Sequence, residues 1–224
     1  MCGEDHDDFI HHLADGHHQF LDQELPKHIE MFKRLSEQGQ SPRAVVIACS
    51  DSRVHPNLLT QSGPGDLFLV RNVANLVPPY DRSGGYHGTS AALEYAVTSL
   101  EVEAVIVLGH SRCGGVRALS DRCCKAAQEG EKPRQSDFID QWMAIAADDG
   151  KVKKLVEQNC QTEKGNYRPL EERMVTLSLE NLRTFPFIRE REAAGKLAVH
   201  GWYFHIAEGR LFAWNPEEGI FKPL

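Results

Sequence analysis

Hydrophobic residues recur with a helical period over residues 9–35, and polar residues fill the positions between them. This pattern is typical of helices that expose one face to solvent. Pro26 lies inside the stretch, and a proline removes a backbone donor, so we expect two helices rather than one. A Gly/Gln/Ser/Pro segment at 39–42 then ends the pattern. The sequence therefore predicts an N-terminal helical arm over residues 1–38.

Three short apolar runs follow, at 44–48, 67–70 and 104–108, and they are rich in β-branched residues. Such runs are typical of buried strands. Helical patterns over 89–100 and after Gly114 separate or follow these strands. Strands that alternate with helices form parallel sheets. We therefore predict an α/β fold with a central, mostly parallel sheet flanked by helices.

The last third of the chain continues this fold and adds to it. Residues 121–168 are charged and weakly periodic, which indicates helices joined by a long connection, and residues 171–185 show a further helical pattern. Two β-type runs at 197–205 and 211–214 enclose a Glu-Gly turn, which predicts a C-terminal β-hairpin extension. A chain of 224 residues needs one core. We predict a single domain, 1–224, with the arm at 1–38 and the α/β core at 39–224.

Composition and charge indicate the cellular location and exclude some classes of binding partner. The formal net charge of -7 and the absence of a Lys/Arg cluster argue against nucleic-acid binding. No run approaches the roughly 20 apolar residues of a membrane span, and the acidic start does not resemble a signal peptide. We predict a cytoplasmic protein with no membrane contact. In that reducing compartment the six cysteines are expected to be metal ligands, core residues or surface thiols, not disulfides.

Cysteine and histidine residues follow two of the predicted strands. Cys49 comes directly after one strand, and His110 and Cys113 follow another. Ligands of open parallel sheets bind at the carboxyl ends of the strands, so these side chains are expected to meet. Two thiolates and one imidazole suit zinc and leave a fourth position open. Either segment alone is a weak signal, because a single cysteine is more often a small buried hydrophobe.

An acid and a base follow the first cysteine closely. Asp51 and Arg53 lie two and four residues after Cys49. A structural salt bridge is the plainest interpretation of this pair, and it is compatible with a role beside the metal. The joint occurrence of the pair and both Cys/His segments favours a catalytic zinc site.

At this point the sequence resembles the plant-type branch of the β-class carbonic anhydrases, over most of its length. The resemblance rests on separated segments in the same order and spacing: C-S-D-S-R at 49–53, H-x-x-C-G-G at 110–115, and further matches at 39–42, 71–80, 92–97 and 181–187. Another branch of that family has a tryptophan three residues before the first zinc cysteine, as part of a regulatory bicarbonate site. Val46 stands there in this chain, which argues against that regulation.

The resemblance implies a site residue by residue. It assigns one Zn²⁺ per chain to Cys49, His110 and Cys113, and an orienting dyad to Asp51 and Arg53, with Asp51 as a fourth zinc ligand only in a closed state. It also implies a homodimer or higher oligomer, with the substrate pocket completed across the dimer interface. The expected pocket residues are Gln40, Phe68, Val73, Tyr95 and Gly114.

The implied activity is that of a carbonic anhydrase, a zinc lyase also called carbonate dehydratase. Zinc-bound hydroxide, oriented by the Asp51–Arg53 dyad, would attack carbon dioxide and give bicarbonate and a proton. Because two thiolates donate charge to the metal, we expect the bound water to have a higher pKa than in a three-histidine site, and the activity to favour alkaline pH.

Three alternatives stay open at this stage. The same zinc site could attack carbonyl sulfide or carbon disulfide, which are also linear and uncharged. Cys49 could instead be a nucleophile activated by His110. A site closed by Asp51 would be a zinc-stabilised binding module without turnover. The remaining cysteines at 2, 123, 124 and 160 are expected to be incidental thiols.

Overall fold

The structure is a computed structural model that describes residues 4–83, 85–129, 136–161 and 166–224. Cys2 and Gly84 lie outside the described residues. The chain divides into two units, Met1–Gln40 and Ser41–Leu224. The prediction that the whole chain is one domain stays a prediction.

The first unit is helical, as the periodicity predicts. Helix α1 covers Glu4–Gln19, a π-helical turn covers Phe20–Glu24, and α2 covers Leu25–Gln38. Pro26 lies in the first turn of α2, where its missing N–H costs no intrahelical hydrogen bond. The arm is therefore two helices joined by the π-helical turn.

The second unit is built on one six-stranded sheet. Its strands are β1 Ala44–Cys49, β2 Leu67–Asn72, β3 Ala104–His110, β4 Ala198–His205, β5 Arg210–Asn215 and β6 Ile220–Pro223. They lie in the sheet in the order β2-β1-β3-β4-β5-β6. The four strands β2, β1, β3 and β4 are parallel to one another, and β5 and β6 add two antiparallel pairings after β4. The mostly parallel sheet and the C-terminal hairpin are confirmed, and β6 extends the hairpin beyond the prediction.

Helices connect the parallel strands and cover the sheet. Among the described residues, no helix is both long and apolar enough to cross a membrane. A 3₁₀ turn at Val73–Asn75 follows β2, and a π-helical turn at Tyr95–Ser99 continues the helix at Gly88–Glu94. The helix bounds in the second unit are α3 Pro56–Thr60, α4 Gly88–Glu94, α5 Gly114–Glu129, α6 Ile139–Ala147, α7 Gly150–Gln161, α8 Arg168–Leu182 and α9 Pro186–Ala193.

Burial on both faces explains why β1 and β3 are continuous apolar runs. All six residues of β1 are buried, and so is β3 beyond its first residue. Alternation is lost because neither face meets water. Helix α8 packs closely on β3 through Val175, whose Cγ2 lies 2.4 Å from where a Cβ on Gly109 would be. The fold therefore brings α8 against the end of β3 that leads to His110.

Replacing Gly109 with alanine is expected to destabilise the protein by about 1–3 kcal/mol, because the new methyl group overlaps Val175 and forces backbone shifts. Chemical denaturation would measure the free energy of unfolding. Gly150→Ala is the matched control, since nothing lies within 4 Å of its Cβ position. Equal stability of the Gly109 variant and this control would contradict the packing argument.

A disulfide joins Cys124 of α5 to Cys160 of α7. The expectation that these two cysteines are incidental thiols is therefore wrong. They are 36 residues apart in sequence, and only the packing of the two helices brings them together. Cys123, the neighbour of Cys124, is a free and exposed cysteine, as expected. The cytoplasmic location stays a prediction.

Breaking this disulfide is expected to lower the free energy of unfolding by about 2–4 kcal/mol, because the cross-link restricts the unfolded chain. Denaturation of the oxidised protein and of its Cys160→Ser variant, each with and without a thiol reductant, would measure the loss. The reductant is expected to affect the wild type and a Cys123→Ser control, but not the Cys160 variant. A wild type insensitive to the reductant would contradict the prediction.

Candidate metal centre

The three predicted metal ligands meet at one edge of the sheet. Cys49 is the last residue of β1, His110 is the last residue of β3, and Cys113 lies in the turn before α5. The neighbouring parallel strands β1 and β3 end at the same edge, so their last side chains converge. The two sulfurs are 3.9 Å apart, and the three ligand atoms lie within 4.8 Å of one another. All three residues are buried.

The donor set fits zinc. His110 Nδ1 lies 2.9 Å from the carbonyl oxygen of Ser111, which suits a proton on Nδ1 and a free lone pair on Nε2. Nε2 is buried and has no hydrogen-bond partner within the described residues. A buried nitrogen of this kind is costly unless it binds something. Together with two thiol ligands, it indicates a zinc site more than a site for an oxygen-preferring cation.

The surroundings of the two sulfurs affect the pKa values of both thiols. The backbone of Asp51 and Ala74 favours a lower pKa of Cys49, and that of Gly115 and Val116 a lower pKa of Cys113. Without metal, the hydrogen bond from the Cys113 thiol lowers the pKa of Cys49. The same interaction raises the pKa of Cys113, because a second proton would have to leave beside a thiolate. Without metal, the site therefore favours a thiolate on Cys49 and a protonated thiol on Cys113.

Asp51 and Arg53 form the predicted ion pair. Arg53 Nε lies 2.9 Å from Asp51 Oδ1, and Nη2 lies 2.7 Å from Oδ2. This paired hydrogen bonding keeps the pKa of Asp51 well below its usual range. Arg53 Nη2 also donates to the Arg112 carbonyl at 3.0 Å, which ties it to the turn before Cys113. Asp51 Oδ2 is 3.9 Å from His110 Nε2, so the carboxylate lies beside the ligands while bound to arginine.

Arg71 is a site residue that the sequence analysis did not identify. From β2, its guanidinium donates to the carbonyl oxygens of Cys49, Asp51 and Val54 at 2.7–3.1 Å. It therefore fixes the loop that carries both the first ligand and the dyad. The sequence holds only a weak signal for this role: an arginine near the end of a predicted strand.

The predicted pocket residues divide into two groups. Val73 and Gly114 lie next to the ligands: Gly114 follows Cys113, and Val73 Cγ1 lies 2.7 Å from a Cβ position on Gly115. Phe68 and Tyr95 contact each other, with ring centroids 6.0 Å apart.

However, these two rings lie away from the ligands of their own chain. Phe68 is opposite Val45, whereas Asn72 is opposite Cys49. Four residues of strand, about 13 Å, therefore separate Phe68 from the ligand edge. Gln40 is exposed and belongs to the first unit. The pocket roles of Phe68, Tyr95 and Gln40 stay predictions.

Comparisons with known proteins agree with this geometry. Residues 44–211 match the protein family described as carbonic anhydrase. The chain is 34% identical over 210 residues to beta carbonic anhydrase 3 of Arabidopsis thaliana, covering 93% of this chain and 78% of that protein.

Two solved structures share the fold closely. The β-carbonic anhydrase CcaA has a TM-score of 0.83 at 32% identity, with 97% of this chain and 92% of that chain covered. A structure from a study of two tetrameric β-carbonic anhydrases of Sordaria macrospora has a TM-score of 0.72 at 28% identity, with 92% and 96% covered. The likeness therefore extends over nearly the whole chain.

Proposed function

The chain belongs to the β-carbonic anhydrase family, and from this premise we propose that Cys49, His110 and Cys113 hold one zinc ion at a site that hydrates carbon dioxide. The products are bicarbonate and a proton, and the reaction is reversible. The observation that carries the proposal is the buried cluster of three ligand atoms within 4.8 Å of one another, beside a carboxylate held by arginine. That combination suits a metal with a reactive position left open.

Zinc at this site would supply a Lewis acid that lowers the pKa of a water molecule bound to it. The chain's own contribution is orientation. The Asp51 carboxylate is ionised at neutral pH, and Arg53 holds it in one position, where it can accept a hydrogen bond from the attacking water. Arg71 holds the backbone beneath this pair. The dyad thus fixes which lone pair of the water faces the substrate.

The pocket suits a small, uncharged substrate. Val73 offers an apolar wall, and the backbone N–H of Gly114 can donate to a product oxygen. We propose that a second copy of the chain contributes Phe68, Tyr95 and Gln40. Tyr95 is 48% exposed although it lies against Phe68, as expected of an aromatic pair that is covered by association. The Sordaria macrospora relatives are tetrameric, which is compatible with such association.

The same dyad would also switch the site off. If Arg53 released Asp51, the carboxylate could reach the fourth metal position, since its Oδ2 lies only 3.9 Å from His110 Nε2. In this structure Asp51 is bound to Arg53, which supports an active resting state and argues against a permanently closed binding module.

Two measurements on the same protein test the proposed function: metal analysis for the zinc content, and stopped-flow kinetics of carbon dioxide hydration between about pH 6 and pH 9. We expect one zinc per chain and a turnover that increases toward alkaline pH. Two thiolate ligands would leave a water on zinc with a higher pKa than three histidine ligands would. Zinc without turnover at any pH would refute catalysis. Activity that survives chelation but not Cys49 alkylation would favour a cysteine nucleophile. Faster turnover of carbonyl sulfide than of carbon dioxide would reassign the substrate.

A further inference from the structure

Glu171 is a carboxylate that the fold buries at the metal centre. It lies in the first turn of α8 and is 3% exposed. A buried carboxylate requires hydrogen-bond donors. Its Oε1 accepts from the backbone N–H of Cys113 at 3.2 Å, and its Oε2 accepts from the Tyr203 hydroxyl at 2.8 Å. Within the described parts of the chain, Glu171 forms no ion pair with a basic side chain, so these hydrogen bonds define its position.

Glu171 contacts the backbone of a turn that contains a residue in an unfavourable conformation. Arg112, directly before Cys113, has a φ of 57°, in the left-handed region that non-glycine residues disfavour. Such a conformation persists only where the surrounding structure holds it. Arg53 Nη2 donates to the carbonyl oxygen of Arg112 itself at 3.0 Å. The carbonyl oxygen of Cys113 accepts from the Arg117 N–H at 3.0 Å, and its N–H donates to the Glu171 carboxylate.

Tyr203 in turn holds Glu171. It lies on β4, opposite Gly109 of β3, and its side chain is fully buried. Burial and the charge of Glu171 raise the pKa of Tyr203 above its usual value, so the hydroxyl stays protonated as a donor. The Arg168 guanidinium lies over the tyrosine ring, 5.3 Å from its centroid. A chain of contacts thus runs from the sheet through Tyr203 and Glu171 to Cys113.

We propose that Glu171 is a positioning residue for the metal ligand Cys113, and that Tyr203 fixes the carboxylate that does so. The inference rests on the proposed function only in that it takes Cys113 as a zinc ligand. Anchoring the Cys113 amide decides where its sulfur points. Loss of the anchor therefore lowers the affinity for metal and changes the ligand geometry around it.

Metal binding without substrate tests this role. Glu171→Ala, Glu171→Gln and Tyr203→Phe are compared with the wild type in a competition between the protein and a chromophoric chelator for Zn²⁺. The visible spectrum of the Co²⁺-loaded protein reports the ligand geometry. We expect Glu171→Ala to weaken zinc binding about 10–100-fold and to shift the Co²⁺ bands. The effects of Glu171→Gln should be smaller, since its amide oxygen still accepts from Cys113.

Tyr203→Phe is expected to weaken binding less than Glu171→Ala and to add nothing in the Glu171→Ala background, because it acts through the same carboxylate. A further loss in that double variant would overturn the assigned role of Tyr203. Glu172→Gln is the matched control: Glu172 is the next residue on α8, and its Oε1 lies 2.7 Å from Arg168 Nε at the surface. It is expected to bind zinc like the wild type.

Wild-type affinity and an unchanged Co²⁺ spectrum in folded Glu171→Ala and Glu171→Gln would overturn the proposal, and so would an equal loss in Glu172→Gln. If Glu171→Ala does not fold, Glu171→Gln and Tyr203→Phe decide by the same two measurements. The proposed function fails separately, because a wild type that binds zinc but does not hydrate carbon dioxide still gives these metal-binding results.

Discussion

Replacing Cys49 with serine is expected to remove tightly bound zinc and to reduce carbon dioxide hydration almost to background. The hydroxyl is a poor substitute for a thiolate, and the pKa of Cys49 is lowered, which favours a thiolate at this position. The loss should exceed the roughly 10–100-fold effect of residues that only support a ligand. Metal analysis after dialysis and stopped-flow hydration would measure both consequences.

Cys123→Ser is the matched control for this change. Cys123 is also a free cysteine, but it is exposed and is not part of the ligand cluster. We expect this variant to keep one zinc per chain and wild-type turnover. A Cys49→Ser protein that retained zinc at full stoichiometry would contradict the ligand assignment.

Replacing Arg53 with alanine is expected to lower turnover about 10²–10³-fold while zinc stays near one per chain, because positioning rather than metal binding is lost. Arg53 holds the pKa of Asp51 below its usual range, and its removal raises that pKa. An unperturbed aspartate, with a pKa of about 3.9, is still ionised at neutral pH. The defect therefore comes from a misplaced carboxylate, which is free to occupy the fourth metal position, and not from its protonation.

Arg43→Ala controls for the loss of an exposed arginine. Arg43 also pairs with a carboxylate: its Nε and Nη2 donate to Glu103 Oε2 at 3.1 and 2.6 Å. It lies just before β1, at the opposite end from Cys49. We expect wild-type turnover. Arg53→Lys should be intermediate, because an ammonium keeps the charge but not the two parallel hydrogen bonds. Wild-type turnover of Arg53→Ala would refute the dyad.

Much of the fold follows from local patterns in this chain. The apolar runs at β1 and β3 are strands because neither face meets water, and helices between them require parallel pairing. The same rule places Cys49 and His110 at one sheet edge, with Cys113 in the turn that follows. These ligands could be predicted because each is a strand end or lies within three residues of one. The Asp51–Arg53 pair could be predicted because its members are only two positions apart in the sequence.

Contacts between residues distant in sequence could not be predicted in this way. Arg71 reaches Cys49 from 22 residues away, Glu171 reaches Cys113 from 58, and Cys124 meets Cys160 across 36. No periodicity in the sequence marks such partners, because they depend on how helices and strands pack. The sequence by itself thus determined the mostly parallel sheet and the meeting of the candidate metal ligands at its strand ends, which require only strand order and direction. The tertiary structure alone decided what holds those residues in place, because hydrogen bonds and disulfides form only where packing brings side chains within a few ångströms.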